Sequence, residues 1–277
     1  MLILTDFSEA AFRAAEYGCQ VAGNLHIERI ILFHAYQSVM AATGLPVAEI
    51  NDQQLYLENM EALGLLQDRI KPLVDNSVTI DMLAEDSALM NAADLIQQFC
   101  RKEDINLMVM GVSEKSAYEH LLLGSMTAEI LKSSEVPVLI VPEDILLGRR
   151  MQSIVFASDL TDIDATPTVY LYEFLEALPA KLYVINVQPE TGKQSAEMEK
   201  RFAGISGLLD GFNPSFHTVN GEDVVETILA FAKEHQASLI IAIHQKHGFW
   251  SGLFHKSVTK KLAYNSRIPL LALPGLG

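Results

Sequence analysis

The stretch from Gly111 to Ser125, "GVSEKSAYEHLLLGS", contains the residue types of a phosphate-binding loop. A glycine follows the apolar run "INLMVM", and a Gly-Ser pair opens the helix-like segment "MTAEILKSS". Backbone N–H groups beside a glycine and at the start of a helix can bind phosphate. Glu114 and Glu119 lie between these two elements, and their negative charges would repel that phosphate. The loop is therefore either a phosphate cradle or a plain helix cap.

Two aspartates follow apolar runs in two similar segments. Asp6 lies in "ILTDFSEAA" and Asp159 lies in "VFASDLTDIDA", each without a recognisable base or nucleophile partner in the sequence. The chain also lacks the G-x-S-x-G, G-x-x-x-x-G-K-[ST] and H-E-x-x-H motifs that position a catalytic serine, nucleotide phosphates or zinc. We therefore predict a binding protein and not an enzyme.

Neither the histidines nor the cysteines predict a metal or redox site. His244, His247 and His255 lie within twelve residues and could hold zinc if the loop folded them together, but no cysteine lies near. We expect exposed or capping histidines and no metal. Cys19 and Cys100 lie on amphipathic, helix-like segments, so we predict buried, reduced thiols.

Composition limits the class of protein. The 277 residues, 49% apolar and 20% charged, suit about two packed domains. No apolar run approaches the roughly 20 residues that cross a membrane, and no signal-peptide pattern opens the chain, so we expect a cytoplasmic protein without a membrane partner.

Residues 1–148 carry a net charge of −14 and residues 149–277 carry −1. Because no basic stripe is present, we expect no nucleic-acid partner.

The chain repeats itself, with a period too long for a solenoid. "RIILFHAY" matches "AKLYVINV", "INLMVMG" matches "ASLIIAI", and "EVPVLIVP" matches "RIPLLALP". The extra residues of the first half follow its second strand. We predict two domains, copy 1 at residues 1–146 and copy 2 at residues 147–277.

Within each copy, short apolar or β-branched runs alternate with helix-periodic segments. This alternation predicts an α/β fold in which a five-stranded parallel sheet carries helices on both faces. The predicted helices of copy 1 are 9–22, 53–71, 90–102 and 125–134. The predicted strands are 2–5, 28–35, 78–83, 106–110 and 136–141 in copy 1, and 152–158, 181–187, 214–219, 238–243 and 268–273 in copy 2.

The last strand of each copy predicts how the copies join. "VPVLIVP" and "IPLLALP" begin and end near prolines, which places each at a sheet edge. An exposed apolar edge strand pairs readily with another strand. We predict that these two strands pair with each other, so that one chain forms a pseudo-twofold dimer; further dimerisation stays open.

The extra segment at 37–70 contains an amphipathic helix. Its Met, Leu and Tyr stripe predicts a face buried in the core. A lid over the copy 1 site and a partner-binding face are the alternatives.

These motifs together resemble the tandem universal stress proteins over nearly the whole chain. The likeness rests on "LTDFSEAA", "ASDLTD", "LMVMG" and "LLLGSMTAEILKSSEVPVLIVP", and in copy 2 on "LFHKSVTKKLAYNSRIPLLALP". It implies two tandem flavodoxin-like, Rossmann-like domains of the adenine nucleotide α-hydrolase-like type, paired through their last strands.

The resemblance also implies an ATP site in copy 1. Some members bind ATP through a glycine, two residues, a second glycine, nine residues, and then Gly-Ser or Gly-Thr; Glu114 replaces the second glycine here. By similarity, Asp6 contacts the adenine or ribose, followed by Met110 and Gly111. The phosphate residues implied by similarity, at the start of a helix, are Gly124, Ser125, Met126 and Thr127.

In copy 2 the same motif has changed further. Ile243 replaces the first glycine, Lys246 replaces the second, and Lys256 precedes Ser257 where Gly-Ser is expected. Asp159, Lys256 and Ser257 are the implied site residues of this degenerate site. Its lysines suit either another anionic ligand or a solvated basic helix end.

Three functions follow. The first is a stress-response binding or signalling module that senses ATP or another adenine nucleotide through copy 1. The second is a nucleotide-free scaffold that acts through protein partners. A slow phosphohydrolase ranks last.

Overall fold

The computed structural model describes residues 1–38, 52–113, 124–158, 167–188, 203–244 and 256–275. The strands are β1 (Leu2–Leu4), β2 (Arg29–Tyr36), β3 (Thr79–Asp86), β4 (Met108–Val112), β5 (Val138–Pro142), β6 (Ser153–Ala157), β7 (Lys181–Gln188), β8 (Ser215–Asn220), β9 (Leu239–His244) and β10 (Leu270–Pro274). The helices are α1 (Glu9–Ala22), α2 (Asp52–Ile70), α3 (Ala92–Lys102), α4 (Gly124–Ser133), α5 (Thr168–Ala177), α6 (Val224–Glu234) and α7 (Lys256–Asn265). A further helical run covers 203–208.

The ten strands of the described residues belong to one sheet, in the order β3-β2-β1-β4-β5-β10-β9-β6-β7-β8. Neighbouring strands are parallel within each copy, which confirms the predicted α/β fold. The predicted strands and the four predicted helices of copy 1 are present, with ends shifted by a few residues. Ser8 caps α1, because its side chain accepts a hydrogen bond from the N–H of Ala11.

The two copies join where the edge strands predict. β5 and β10 pair in antiparallel register, and Leu139 pairs with its own equivalent, Leu271. The local twofold axis therefore passes between these two leucines. On one face of the sheet, α4 also packs against α7 across the same axis. The predicted pairing through the last strands is confirmed.

Alternating strand residues build a core on each face of the sheet. One core holds Ile3 and Leu139 under α1 and α2, and the other holds Leu2 and Ile140 under α3 and α4. Both cores continue through copy 2, so that the inner strands are buried on two sides, whereas the outermost strands β3 and β8 are only partly buried. This explains why the inner strands are almost continuously apolar.

The first helix packs differently in the two copies. α1 presents small residues to the sheet and lies close along β4 and β5; they are Ala10, Ala11, Ala14, Ala15 and Gly18. Its counterpart α5 buries Leu171, Phe174 and Leu175 instead. Because large side chains keep a helix farther from a sheet, the first helix lies closer to the sheet in copy 1 than in copy 2.

Two details differ from the sequence predictions. Phe33 pairs with Leu4 in copy 1 as Ile185 pairs with Ala157 in copy 2, so "RIILFHAY" matches "KLYVINVQ", one residue later than predicted. The apolar stripe of α2 is buried only in part, because Leu57 and Leu65 are exposed.

Both cysteines are buried and free, as predicted. Burial raises the pKa of the Cys19 and Cys100 thiols to about 12. These thiols therefore stay protonated and pack as small apolar groups. Among the described residues, no helix is long and apolar enough to cross a membrane.

Candidate nucleotide site

A cavity of about 360 Å³ lies at the carboxyl ends of the copy 1 strands. In doubly wound sheets this edge is where ligands bind. The lining residues come from strand ends, from the first turns of α1 and α4, and from α3: Leu4, Thr5, Asp6, Ser8, Glu9, Ala10, Ala11, Phe33, Ala35, Ile96, Met110, Gly111, Val112, Ser113, Met126, Thr127 and Glu143.

The structure brings five of the implied site residues to this cavity: Asp6, Met110, Gly111, Met126 and Thr127. Gly124 and Ser125 begin α4, but their side chains lie outside the described part of the chain. Glu114 and Glu119 also lie outside it. The role of every one of these residues in binding stays a prediction.

Asp6 is held by its own turn. Its Oδ1 accepts hydrogen bonds from the N–H of Ser8 (3.0 Å) and from the Ser8 hydroxyl (2.5 Å). Phe7, between them, has a φ of 63°, which a non-glycine residue rarely adopts. The hydroxyl of Thr5 accepts from the N–H of Phe7, which supports this backbone. The turn presents the carboxylate of Asp6 to the cavity in one orientation.

His34 fixes this turn from the neighbouring strand. Its Nδ1 lies 2.7 Å from the carbonyl oxygen of Thr5, and because a carbonyl can only accept, Nδ1 carries the proton. Its ring also packs against Phe7 at a centroid distance of 4.4 Å. Sequence reasoning missed His34, since only the register of β1 with β2 places it beside Thr5.

Position 111 must be a glycine for a packing reason that the motif does not reveal. It lies inside β4, and a Cβ at this position would stand 2.2 Å from the backbone oxygen of Ala10. The first turn of α1 therefore crosses the end of β4 at a distance that only glycine permits. The glycine is required for this packing whether or not a phosphate binds.

The charge of the described cavity lining is negative. Asp6, Glu9 and Glu143 are its ionisable residues, and it includes no lysine, arginine or histidine. Glu9 pairs at 3.3 Å with Arg13, which does not line the cavity. Glu143 was not identified from the sequence; its position directly after the apolar strand β5 was the available signal.

Copy 2 retains the frame of this site with other residues. In copy 2 the N–H of Ser158 donates to the carbonyl oxygen of Ile185 at 3.0 Å. In copy 1 the N–H of Thr5 donates in the same way to the carbonyl oxygen of Phe33, also at 3.0 Å. Asn186 takes the place of His34, and its Nδ2 donates to the carbonyl oxygen of Ser158 at 3.0 Å. Asn186 is buried and also accepts a hydrogen bond from Gln188.

The implied ligand residues of copy 2 cannot be placed in the same way. Asp159 lies outside the described residues, and Lys256 and Ser257 begin α7 without described side chains. Within the described residues, no group of three or more His, Cys, Asp or Glu side chains could hold a metal ion. His247 and His255, and the side chain of His244, lie outside that search.

Comparison with known proteins agrees with this architecture. The sequence profile of the universal stress protein family matches residues 1–142 and 151–274. A universal stress protein of Methanocaldococcus jannaschii is 27% identical over 147 residues, which cover 51% of this chain and 80% of that protein. The crystal structure of a universal stress protein from Archaeoglobus fulgidus covers 99% of this chain and 97% of its own, with a TM-score of 0.75 and 20% identity, a likeness of fold. The chain therefore belongs to the universal stress protein family and carries two tandem copies of the family domain.

Proposed function

We propose that the protein is a cytoplasmic stress-response binding and signalling module, not an enzyme, in which copy 1 senses an adenine nucleotide and the copy 2 site is degenerate. The observation that carries this proposal is the cavity at the carboxyl ends of the copy 1 strands, shared by Asp6, Met110, Gly111, Met126 and Thr127. The family resemblance implies that these residues contact a bound nucleotide.

The cavity has the chemical character of a nucleoside site. Leu4, Phe33, Ile96 and Met110 supply apolar walls against which a purine ring can pack. Asp6 supplies an oriented carboxylate that can accept hydrogen bonds from a ribose or a base. The buried Thr127 lines the same space.

The same lining favours binding over catalysis. Catalysis of phosphate hydrolysis needs a positioned base and a cation or N–H donors for the developing charge. The described lining has carboxylates but no cationic side chain and no histidine. This composition supports a sensor in preference to a phosphohydrolase.

Isothermal titration calorimetry of the full chain with adenosine, AMP and ATP tests the proposal. Ala35→Leu places a larger side chain in the cavity and should weaken binding at least about tenfold, or about 1.4 kcal/mol. Gly64→Ala is the matched control, since a Cβ there meets nothing within 4 Å. The proposal fails if none of the three compounds binds, or if Ala35→Leu binds them as well as the parent does.

Exposed apolar side chains on α2 favour a second candidate function. In this function the protein binds no nucleotide and acts as a scaffold for protein partners, of which a second copy of the chain is the simplest. Leu57 and Leu65 are 57% and 68% exposed, and Tyr56 on the same helix is exposed as well. Where exposed apolar side chains form a contiguous patch, they commonly mark an interaction surface. Sedimentation velocity tests it: self-association that a Leu57→Ser, Leu65→Ser double variant abolishes supports a scaffold. A monomer at every concentration counts against it.

A further inference from the structure

The three carboxylates of the described cavity lining are not equivalent. Asp6 is bound by the N–H and hydroxyl of Ser8, and Glu9 is paired with Arg13. Glu143 is half-buried, and within the described part of the chain it has neither an ion pair nor a side-chain hydrogen bond. Of these three carboxylates, Glu143 therefore carries the least compensated charge.

The backbone holds Glu143 near the start of α4. It follows the last residue of β5, and its N–H donates to the carbonyl oxygen of Val112 at 3.0 Å. Met126 and Thr127, in the first turn of α4, line the same cavity. A helix start attracts anions, but an uncompensated carboxylate on the same cavity opposes them.

Copy 2 has no carboxylate at this position. Val138 and Leu270 occupy equivalent positions in their sheets, and five residues later copy 1 has Glu143 where copy 2 has Gly275. The α7 helix of copy 2 begins with Lys256. The negative charge thus belongs to the copy that retains the first glycine and the Gly-Ser pair.

We infer that the copy 1 site binds an uncharged nucleoside in preference to its triphosphate, and that Glu143 determines this preference. The inference rests on the proposed function and deepens it. The volume agrees, because about 360 Å³ is near the lower end of ligand cavities, which range from about 300 to 1,000 Å³. A base with its sugar suits this size, whereas three phosphates would add several negative charges near Glu143.

Calorimetry of the full chain with adenosine and with ATP, without magnesium, tests the inference in the parent and in Glu143→Gln. The parent should bind adenosine more tightly than ATP. Glu143→Gln should strengthen ATP binding about 5- to 10-fold, the effect of one unit charge about 4 Å away in a solvated site. It should leave adenosine binding unchanged, because the nucleoside carries no charge.

Glu135→Gln is the matched control, since Glu135 is an exposed carboxylate that pairs with Arg101 and does not line the cavity. It should change neither affinity. Added salt should narrow the difference between parent and Glu143→Gln for ATP.

Two results overturn the inference while the proposed function stands: ATP binds the parent more tightly than adenosine does, or Glu143→Gln changes the two affinities equally. If neither compound binds any of the proteins, the proposed function itself fails. The two failures are therefore distinguishable.

Discussion

The two copies share one strand frame but differ at both ends of their strands. At the carboxyl ends, copy 1 has a glycine under a close helix and an acidic cavity, whereas copy 2 has Ile243 in place of Gly111 and a buried Asn186. At the amino ends, Arg29 pairs with Asp81 and Glu103, whereas Lys181 lies over the ring of Tyr183, near His235. The buried inner strands constrain the frame, because they pack on both faces of the sheet, while the strand ends are free to diverge.

Equivalent substitutions in the two strands that join the copies should destabilise the protein to a similar extent. Leu139→Ala and Leu271→Ala should each lower the free energy of unfolding by about 2–5 kcal/mol, because each removes a buried side chain at the shared axis. Urea denaturation measures both losses. Leu146→Ala, at an exposed position, should change little. A large loss at one leucine and none at the other would contradict an equivalent role.

The glycine should matter only in copy 1. Gly111→Ala should cost about 1–3 kcal/mol of stability, because its Cβ would overlap the backbone of Ala10. In the same denaturation assay, Gly64→Ala should be neutral or stabilising, since α2 leaves room there and alanine favours a helix. If Gly111→Ala is as well tolerated as Gly64→Ala, the close approach of α1 is not a constraint.

The hydrogen bond that holds the strand-end turn should tolerate exchange between copies. His34→Leu leaves the carbonyl of Thr5 without its donor and should cost about 0.5–1.5 kcal/mol. His34→Asn introduces the donor that copy 2 uses at Asn186 and should recover part of that loss. Thermal melts of the two variants give the comparison. Equal losses would show that ring packing against Phe7, and not the hydrogen bond, is what matters.

The smallest expected effect is a pH dependence confined to copy 2. His217 replaces Leu83 in the strand register, and its Nε2 is enclosed and has no hydrogen-bond partner among the described residues. Burial, followed by the charges of His235 and Lys181, lowers the pKa of His217. The unfolded chain therefore binds the proton more readily, and stability should fall as the pH drops below about 6.5.

His217→Leu, the copy 1 residue, should reduce this loss of stability between pH 7.5 and about pH 5.5, as measured by thermal melts. His26→Asn removes an exposed histidine and serves as the control. An unchanged pH profile in His217→Leu would refute the assignment.

Local pattern predicted most of the fold because strands and helices have different apolar periods. The helix-periodic segment at 9–22 predicted α1, and the prolines around "VPVLIVP" predicted the strand that joins the copies. The apolar stripe of α2 was predicted less well. Leu57 and Leu65 fit a helical period, but the period does not tell which of two neighbouring faces the sheet covers.

The sequence by itself determined the duplication, the parallel α/β architecture, the pairing of the last strands and the family resemblance, since these depend on periodicity and on motifs within short segments. Only the tertiary structure decided why Gly111 must be glycine, which residue holds the turn of Asp6, and that Glu143 lines the cavity. Each of these depends on residues far apart in the chain. Parallel strand register brings them together, and no local pattern records that register.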